Sequence, residues 1–163
     1  MSNARRARIV RWVASVCGVG YVPVVPGTFG SLPGLALAIV LFRRPWVLAA
    51  LAAASIPLAI WAANHAEQDD VGKDPRWVVV DETVGMMVAL AFVRGPWIIW
   101  PAGFVLFRLF DIVKPYPVGW AERLPGGVGI VMDDVLAGLY TNLILQILMA
   151  SHAVGVITSV WFG

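Results

Sequence analysis

The sequence predicts an all-α fold, a small polytopic helical membrane protein whose polar site lies at the cytoplasmic helix ends. Two observations carry this prediction. Of the 163 residues, 60% are hydrophobic and only 13% are charged, whereas ordinary soluble domains are about 25% charged. Two long runs, residues 46–63 and 135–162, carry no charge. The second would be about 42 Å long as a helix, more than the roughly 30 Å of a bilayer core.

Length, charge and cysteine content limit the organisation and the partners of the chain. A chain of 163 residues is one domain by the usual size range. The net charge of +2 does not indicate a nucleic-acid partner, and a single cysteine, Cys17, excludes an intrachain disulfide. We divide the chain into a basic N-terminal arm, residues 1–20, and one helical membrane-embedded domain, residues 21–163. The arm carries four arginines among apolar residues and is interpreted as a juxtamembrane anchor.

A loop rich in proline and glycine, residues 22–33, precedes the first apolar run. Ser31 is expected to cap the following helix, with Pro33 in its first turn. Two interpretations stay open. The segment is an ordinary loop and cap, or it is an anion cradle formed by the hydroxyls of Thr28 and Ser31, backbone N–H groups and the helix N-terminus.

The apolar segments can be arranged as two helical hairpins. The first joins residues 32–43 to 46–64, and the second joins 78–93 to 97–111. The turns then place Arg43, Arg44 and Arg94 at one end. All ten acidic residues and the other nine of the twelve lysines and arginines map to the opposite end. The excess of positive charge places that end in the cytoplasm.

The stretch from residue 107 to 117 concentrates charge directly after an apolar run. In a helix, Arg108, Asp111 and Lys114 form a slanting stripe at spacings of three, and Pro115 ends the helix just past it. Charges at the end of a hydrophobic helix are costly without partners. The acid pairs upstream and downstream are the expected partners.

Those acid pairs, Asp81-Glu82 and Asp133-Asp134, are candidates for a metal site. Each acid alone is also explained as a solvated helix cap. However, Gly85 and Gly138 follow about one turn later, and small residues let helices approach closely. Carboxylates brought together repel unless a cation joins them, and oxygen-only ligands select Mg²⁺, Mn²⁺ or Ca²⁺.

Other chemistries of phosphate-ester cleavage are excluded by missing residues. Cys17 is followed six positions later by Pro23 and not by the arginine that a cysteine phosphate loop needs. The chain has no Asp-x-Asp pair, and its two histidines, His65 and His152, do not provide a histidine nucleophile. Metal-assisted attack by water or by a carboxylate remains.

Four blocks of sequence together resemble the phosphatidylglycerophosphatase A family. They are residues 26–31, 81–85, 107–115 and 126–138, in the order of that family and within about residues 20–140. The resemblance implies an Mg²⁺-dependent, all-α enzyme of the bacterial inner membrane with its active site facing the cytoplasm. It implies a phospholipid substrate, phosphatidylglycerophosphate, and the products phosphatidylglycerol and phosphate.

The site residues expected on this basis fall into three overlapping groups. The metal ligands are Asp81, Glu82, Asp111, Asp133 and Asp134, with Asn64 and Glu67 as lesser candidates. Phosphate contacts are assigned to Thr28, Ser31, Arg108 and Lys114, and the catalytic set is Asp81, Asp111, Asp134, Arg108 and Lys114. The alternative function is a small membrane transporter or channel subunit with an interfacial cation site. A transporter more often places its ionisable groups near the middle of the membrane.

Overall fold

The structure is a computed structural model that describes residues 3–69 and 75–162, and every regular element in those two ranges is a helix. The prediction of an all-α fold is therefore confirmed for the described chain. The elements are α1 (Asn3–Ala14), a 3₁₀ turn (Val19–Tyr21), α2 (Pro26–Val40), α3 (Pro45–Asp69), α4 (Val80–Leu90), α5 (Ile99–Val113), α6 (Val118–Ala121) and α7 (Gly127–Phe162).

Helix α4 forms the centre of the fold. Nine of its eleven residues are buried, because α2, α3, α5 and α7 all pack around it. Glycines make this close packing possible on the α2 side: a Cβ at Gly34 would overlap the carbonyl oxygen of Thr83. The Thr83 hydroxyl donates a hydrogen bond of 2.6 Å to the Gly30 carbonyl. The first residues of α4 are thereby fixed in position at the centre of the molecule.

The turns after α2 and α4 lie together at one end of the molecule. Arg43 and Arg94 line the same cavity, and the Trp46 ring packs edge-on against Phe92, with centroids 4.6 Å apart. The common end that the sequence predicts is therefore observed. The first hairpin is splayed, however, because α2 packs mainly against α4 and α3 packs mainly against α7, with little contact between α2 and α3.

Two helices begin earlier than the sequence predicts. Helix α2 begins at Pro26, so Ser31 lies inside it and donates a hydrogen bond of 2.9 Å to the Gly27 carbonyl. The expectation that Ser31 caps the helix is wrong, because Pro26 already provides the favoured first residue. Helix α7 begins at Gly127, which places Asp133 in its second turn. The alternative explanation of Asp133 or Asp134 as a solvated cap of the last helix is therefore wrong, because both lie inside α7 and are buried.

The predicted basic arm contains α1, which is docked onto the rest of the chain. Val10 and Ala14 are buried, α1 packs against α3, and the Ala14 carbonyl accepts a hydrogen bond of 2.8 Å from the N–H of Val79. Two segments are long and apolar enough to cross a membrane, Pro45–Gln68 in α3 and Gly127–Ser151 in α7.

Candidate metal and phosphate site

The first acid pair is placed by the N-terminus of the central helix. Asp81 and Glu82 lie in the first turn of α4, where the backbone N–H groups and the helix dipole favour negative charge. The Asp81 Oδ1 atom accepts a hydrogen bond of 3.0 Å from the N–H of Glu82. Asp81 is only 6% exposed, so this end of α4 is buried within the bundle.

The second acid pair faces it from α7 and has the same local arrangement. The Asp133 Oδ1 atom accepts a hydrogen bond of 3.0 Å from the N–H of Asp134. The two residues are 5% and 3% exposed. In both acid pairs, the first carboxylate therefore accepts a hydrogen bond from the backbone N–H of the second acid.

Asp81, Glu82 and Asp134 form the acid cluster of the site. Each offers one carboxylate oxygen, and these three oxygens all lie within 4.8 Å of one another. Glu82 Oε2 and Asp134 Oδ1 are buried and have no hydrogen-bond partner. Burial raises the pKa of Glu82, and the negative charge of Asp111 adds to this, against the lowering effects of Asp81 and Arg108. The cluster thus has the composition and the unsatisfied oxygens of a divalent-cation site.

Arg108 connects α5 to this cluster. Its Nη1 atom lies 2.7 Å from Asp111 Oδ2 and 4.0 Å from Glu82 Oε1. The short contact with Asp111 is an ion pair without hydrogen-bond alignment, because neither Nη1 nor Nε of Arg108 has a hydrogen-bond partner. A buried guanidinium with unused N–H groups is suited to an incoming anion.

Lys114 ends α5 on the other side of the cluster. It adopts a left-handed backbone conformation at the helix C-terminus, with φ 47°, and its Nζ atom lies 2.6 Å from Glu122 and 2.8 Å from Asp133. Burial disfavours its charge, but the hydrogen bonds to these two carboxylates outweigh burial and raise the pKa of Lys114. The ammonium group is therefore a fixed positive charge at the site.

These groups surround one cavity of about 250 Å³, called the site cavity below. Seven of the predicted site residues line it: Asp81, Glu82, Arg108, Asp111, Lys114, Asp133 and Asp134. Its remaining lining consists of Val25, Pro26, Gly27, Arg76, Val78 and Ile130. A Cβ at Gly27 would overlap Glu82 Oε1 and lie 3.1 Å from Arg108 Nη2, so a larger residue there would displace these two site side chains.

Four other predicted residues do not line this cavity. The Ser31 hydroxyl is fully buried inside α2, and Thr28 is half-buried in its first turn. The Asn64 side-chain oxygen accepts a hydrogen bond of 2.7 Å from the N–H of Gly127 and so caps α7. Glu67 lines a neighbouring cavity of about 390 Å³, which also contains Asp133.

Sequence reasoning missed two charged residues at the site. Arg76 lines both the site cavity and the neighbouring one, and Glu122 is the exposed ion-pair partner of Lys114. Arg76 lies at the end of a polar segment, five positions before Asp81 in the chain. This closeness in sequence to Asp81 is the only signal that could have indicated its place at the site. Glu122 directly follows α6, and its partner Lys114 is eight positions away in the chain.

The fold and the site define a class of protein. It is all-helical, and its buried carboxylates, an arginine and a lysine meet at one cavity that is suited to a cation and a phosphate. Comparison with known families identifies the particular one. Residues 12–149 match the family model described as phosphatidylglycerophosphatase A. The chain belongs to this family and is a phosphatase.

Individual relatives agree with the family but carry two different names. Phosphatidylglycerophosphatase A of Escherichia coli is 33% identical over 86% of this chain and 84% of its own. The protein of that name from Haemophilus influenzae is 36% identical over 78% of this chain and 81% of its own. A putative phosphatidylinositol-3-phosphatase of Bacteroides thetaiotaomicron is 44% identical over 80% of this chain and 87% of its own. No solved structure matches the chain significantly.

Proposed function

We propose that the chain removes the terminal phosphate of phosphatidylglycerophosphate in an Mg²⁺-dependent reaction, yielding phosphatidylglycerol and inorganic phosphate. One observation carries the proposal beyond the family: Glu82 Oε2 and Asp134 Oδ1 are buried without partners within a cluster of three carboxylates. Such an arrangement is unfavourable by itself, because buried charges need a counter-charge and buried acceptors need donors. A divalent cation supplies the missing counter-charge.

The donor set fits Mg²⁺. Asp81, Glu82 and Asp134 offer only carboxylate oxygens, the ligands that hard divalent cations prefer. Asp111 and Asp133 line the same cavity and are assigned as outer members of the set. When bound, the cation would polarise a phosphate oxygen and neutralise charge that develops during cleavage.

The cations of the chain bind the phosphate in this proposal. Arg108 presents unused N–H groups from α5, and Lys114 presents a point charge to the same cavity. Both charges stabilise the additional negative charge of the transition state. Asp111 orients the guanidinium through their 2.7 Å ion pair. The sequence assigns contacts with the phosphate to Thr28 and Ser31. In this proposal the backbone at Gly27 makes such a contact instead, because Gly27 lines the cavity.

Exposed aromatic side chains support placement in a membrane, with the site at one surface. Trp46 and Trp97, 77% and 76% exposed, lie at the end with the two turns. Trp120 and Tyr116, 55% and 83% exposed, lie beside Lys114 at the site end. Tryptophan and tyrosine concentrate at both surfaces of a bilayer.

The length of α3 and the distribution of charge agree with that placement. From Trp46 to His65, helix α3 rises about 28 Å at 1.5 Å per residue, close to the roughly 30 Å of the hydrocarbon core. The excess of lysine and arginine that the sequence predicts at the site end favours a cytoplasmic position for that end. We propose the bacterial inner membrane as the location of the enzyme.

A second candidate substrate is phosphatidylinositol 3-phosphate. It is favoured by the relative named putative phosphatidylinositol-3-phosphatase, which is 44% identical to this chain, whereas the two phosphatidylglycerophosphatases are 33% and 36% identical. Both lipids carry a phosphate monoester on a polar head group, so the same acid cluster and cations serve either one. The alternative of a transporter or channel subunit has no comparable support, because the relatives are phosphatases.

The experiment measures phosphate release by the purified full chain from both lipids, with Mg²⁺ and with a chelator. We expect release from phosphatidylglycerophosphate that the chelator abolishes. Asp134→Asn, which keeps the shape but removes one charge of the cluster, should lower kcat at least about a hundredfold. Glu67→Gln is the matched control, because Glu67 is a nearby acid outside the site cavity, and it should retain activity within about threefold.

Thermal unfolding supplies a measurement that does not depend on activity. Mg²⁺ should raise the unfolding temperature of the parent and of Glu67→Gln, but not that of Asp134→Asn, because a bound ion stabilises only the folded state that binds it. Phosphate release that persists in the chelator would overturn the metal assignment. Faster release from phosphatidylinositol 3-phosphate than from phosphatidylglycerophosphate would overturn the substrate assignment.

A further inference from the structure

A second cavity adjoins the site cavity and shares Lys114 with it. It has a volume of about 280 Å³ and is lined by Lys114, Tyr116, Gly119, Trp120 and Arg123. We call it the α6 cavity, since α6 and its flanking residues form it. Lys114 separates the two spaces, and its Nζ atom lies 2.8 Å from Asp133 on the site side. A ligand in the α6 cavity is therefore next to one in the site cavity.

The walls of the α6 cavity are held in place by packing and by a hydrogen bond to α7. Val118 and Ala121 are buried and attach α6 to the bundle. The Tyr116 carbonyl accepts a hydrogen bond of 2.8 Å from the hydroxyl of Tyr140 in α7. A Cβ at Gly119 would lie 2.9 Å from the Lys114 carbonyl, so glycine is needed for this close turn. The segment is thus a fixed part of the molecule.

The chemistry of the α6 cavity suits a singly charged anion at the membrane surface. None of the ion pairs among the described residues involves Arg123, whereas Lys114 is already shared between two carboxylates. Arg123 is therefore the cation of this cavity that is available for a second anion while Lys114 serves the terminal phosphate, and its planar guanidinium matches phosphate oxygens. Trp120 and Tyr116 are exposed amphipathic rings, which prefer the lipid–water boundary.

Exposed apolar residues continue from this cavity along α5. Ile112 and Val113 are 71% and 63% exposed, one turn or less before Lys114. An acyl chain next to these side chains would remain among apolar groups. Along the surface, the apolar face of α5 is therefore followed by the α6 cavity with Arg123. Lys114 comes next, and the acid cluster lies beyond it.

We propose that the α6 cavity binds the phosphodiester of the lipid substrate, with Arg123 as its main ligand, while the terminal phosphate monoester lies at the acid cluster. The proposal rests on the proposed function and adds a determinant of specificity to it. Both candidate substrates carry a phosphodiester between the glycerol backbone of the lipid and the head group that bears the monoester. Arg123 therefore selects lipids with two phosphates over a lipid with a monoester alone.

The experiment compares phosphatidylglycerophosphate with phosphatidic acid, a membrane lipid whose only phosphate is a monoester. The purified full chain is assayed on both in the same mixed micelles. Arg123→Gln should raise KM for phosphatidylglycerophosphate and lower kcat/KM about tenfold, the value of one charge-assisted contact. The preference for phosphatidylglycerophosphate over phosphatidic acid should shrink by the same factor. Arg123→Lys should restore part of the loss.

Inhibition by phosphatidylglycerol gives a second measurement, since this lipid keeps the diester and lacks the monoester. Its inhibition constant should rise about tenfold in Arg123→Gln. Arg94→Gln is the matched control, because it removes an exposed arginine at the opposite end, and it should change neither quantity.

Equal loss on both substrates would show that Arg123 only holds the protein on the lipid surface, and this would overturn the proposal. An unchanged substrate preference together with an unchanged inhibition constant would overturn it as well. A parent protein that releases phosphate from neither phosphatidylglycerophosphate nor phosphatidylinositol 3-phosphate would instead refute the proposed function itself.

Discussion

Gly85 of α4 and Gly138 of α7 lie face to face where the two helices cross. A Cβ at Gly138 would overlap the Gly85 carbonyl oxygen, and a Cβ at Gly85 would lie 2.7 Å from the Asp134 carbonyl oxygen. Close backbone approach of this kind requires glycine. Because Glu82 and Asp134 lie about one turn before these two glycines, the crossing sets the distance between the two acid pairs.

Gly138→Ala is expected to inactivate the enzyme by separating the helices. The added methyl group meets backbone atoms, which cannot move aside without shifting α4 relative to α7. A displacement of about 1 Å at a catalytic site costs about a hundredfold in rate, so kcat/KM should fall to that extent. Assays of phosphate release, together with thermal unfolding in Mg²⁺, measure the effect.

Gly95→Ala is the matched control for this substitution. A Cβ at Gly95 would meet Met149 Sδ and Ile99 Cδ1, the ends of flexible side chains that can adjust. Activity should therefore remain near that of the parent. Full activity of Gly138→Ala would show that the glycine contact does not determine the geometry of the acid cluster.

This crossing was predictable from sequence, because its signal is local. A glycine follows each acid pair at nearly the same spacing, and each pair lies next to an apolar run. The charged stripe of Arg108, Asp111 and Lys114 was predictable for the same reason, since the spacing fixes the helix face. Lys114 and Arg108 do contact the expected acids, Asp133 and Glu82.

The helix starts and the outer site residues could not be predicted in the same way. Ser31 and Pro26 both carry signals for a helix start, and the choice between them depends on the packing of Gly27, Gly30 and Gly34 against α4. Asn64 caps α7 across 63 residues of sequence. Glu122 and Arg76 reach the site through loops whose course depends on tertiary contacts.

Lys114→Ala should impair both turnover and stability. The substitution removes a phosphate contact and leaves Asp133, 5% exposed, beside Asp134 without its counter-charge. Loss of one charge-assisted contact is worth about 1.5–3 kcal/mol, or about ten- to a hundredfold in kcat/KM. Steady-state kinetics and the unfolding temperature, measured in one detergent, test both effects.

Glu122→Gln provides the comparison for Lys114. It removes the more exposed of the two carboxylates that Lys114 contacts, and exposed ion pairs contribute only about 0–1 kcal/mol. We expect little change in unfolding temperature. Equal destabilisation by Glu122→Gln and Lys114→Ala would mean that the contact with Asp133 has no special importance.

Asn142→Ala should destabilise the fold without affecting the chemistry. The Asn142 amide nitrogen donates to carbonyls at the C-terminus of α4, at 3.1 Å to Val88, 3.1 Å to Ala89 and 2.6 Å to Ala91. Without this side chain the carbonyls lose their donor at a half-buried position, at a cost of about 1–3 kcal/mol. Denaturation in detergent should show this loss while kcat remains within about twofold of the parent.

Gln146→Ala tests whether the effect belongs to Asn142 itself. Gln146 is exposed and donates to the Asn142 side-chain oxygen at 2.5 Å, so it touches the same group from outside. Its removal should cost no more than about 0.5 kcal/mol. A larger loss from Gln146→Ala than from Asn142→Ala would contradict this account of the α4 terminus.

The orientation of the chain in the membrane is tested with single cysteines. Cys17 is exposed, so it is first replaced by serine. Arg44→Cys and Arg94→Cys then place thiols at the end with the two turns, and Glu122→Cys places one beside Lys114 at the site. Arg5→Cys places one on the exposed surface of α1, which the charge distribution predicts to lie on the site side of the membrane. An impermeant thiol reagent is applied to intact cells and to opened ones.

We expect the two turn cysteines to react in intact cells and the other two only after the membrane is opened. The physical reason is the distribution of charge: the sequence predicts three basic residues at the turns and the other nine toward the site end, and the side richer in lysine and arginine is retained in the cytoplasm. The proposed cytoplasmic site depends on this arrangement, because Glu122 contacts Lys114 directly. Reaction of all four cysteines from the same side would mean that the turns and the site do not lie on opposite surfaces of the membrane. Reaction of Glu122→Cys alone in intact cells would place the site outside the cytoplasm.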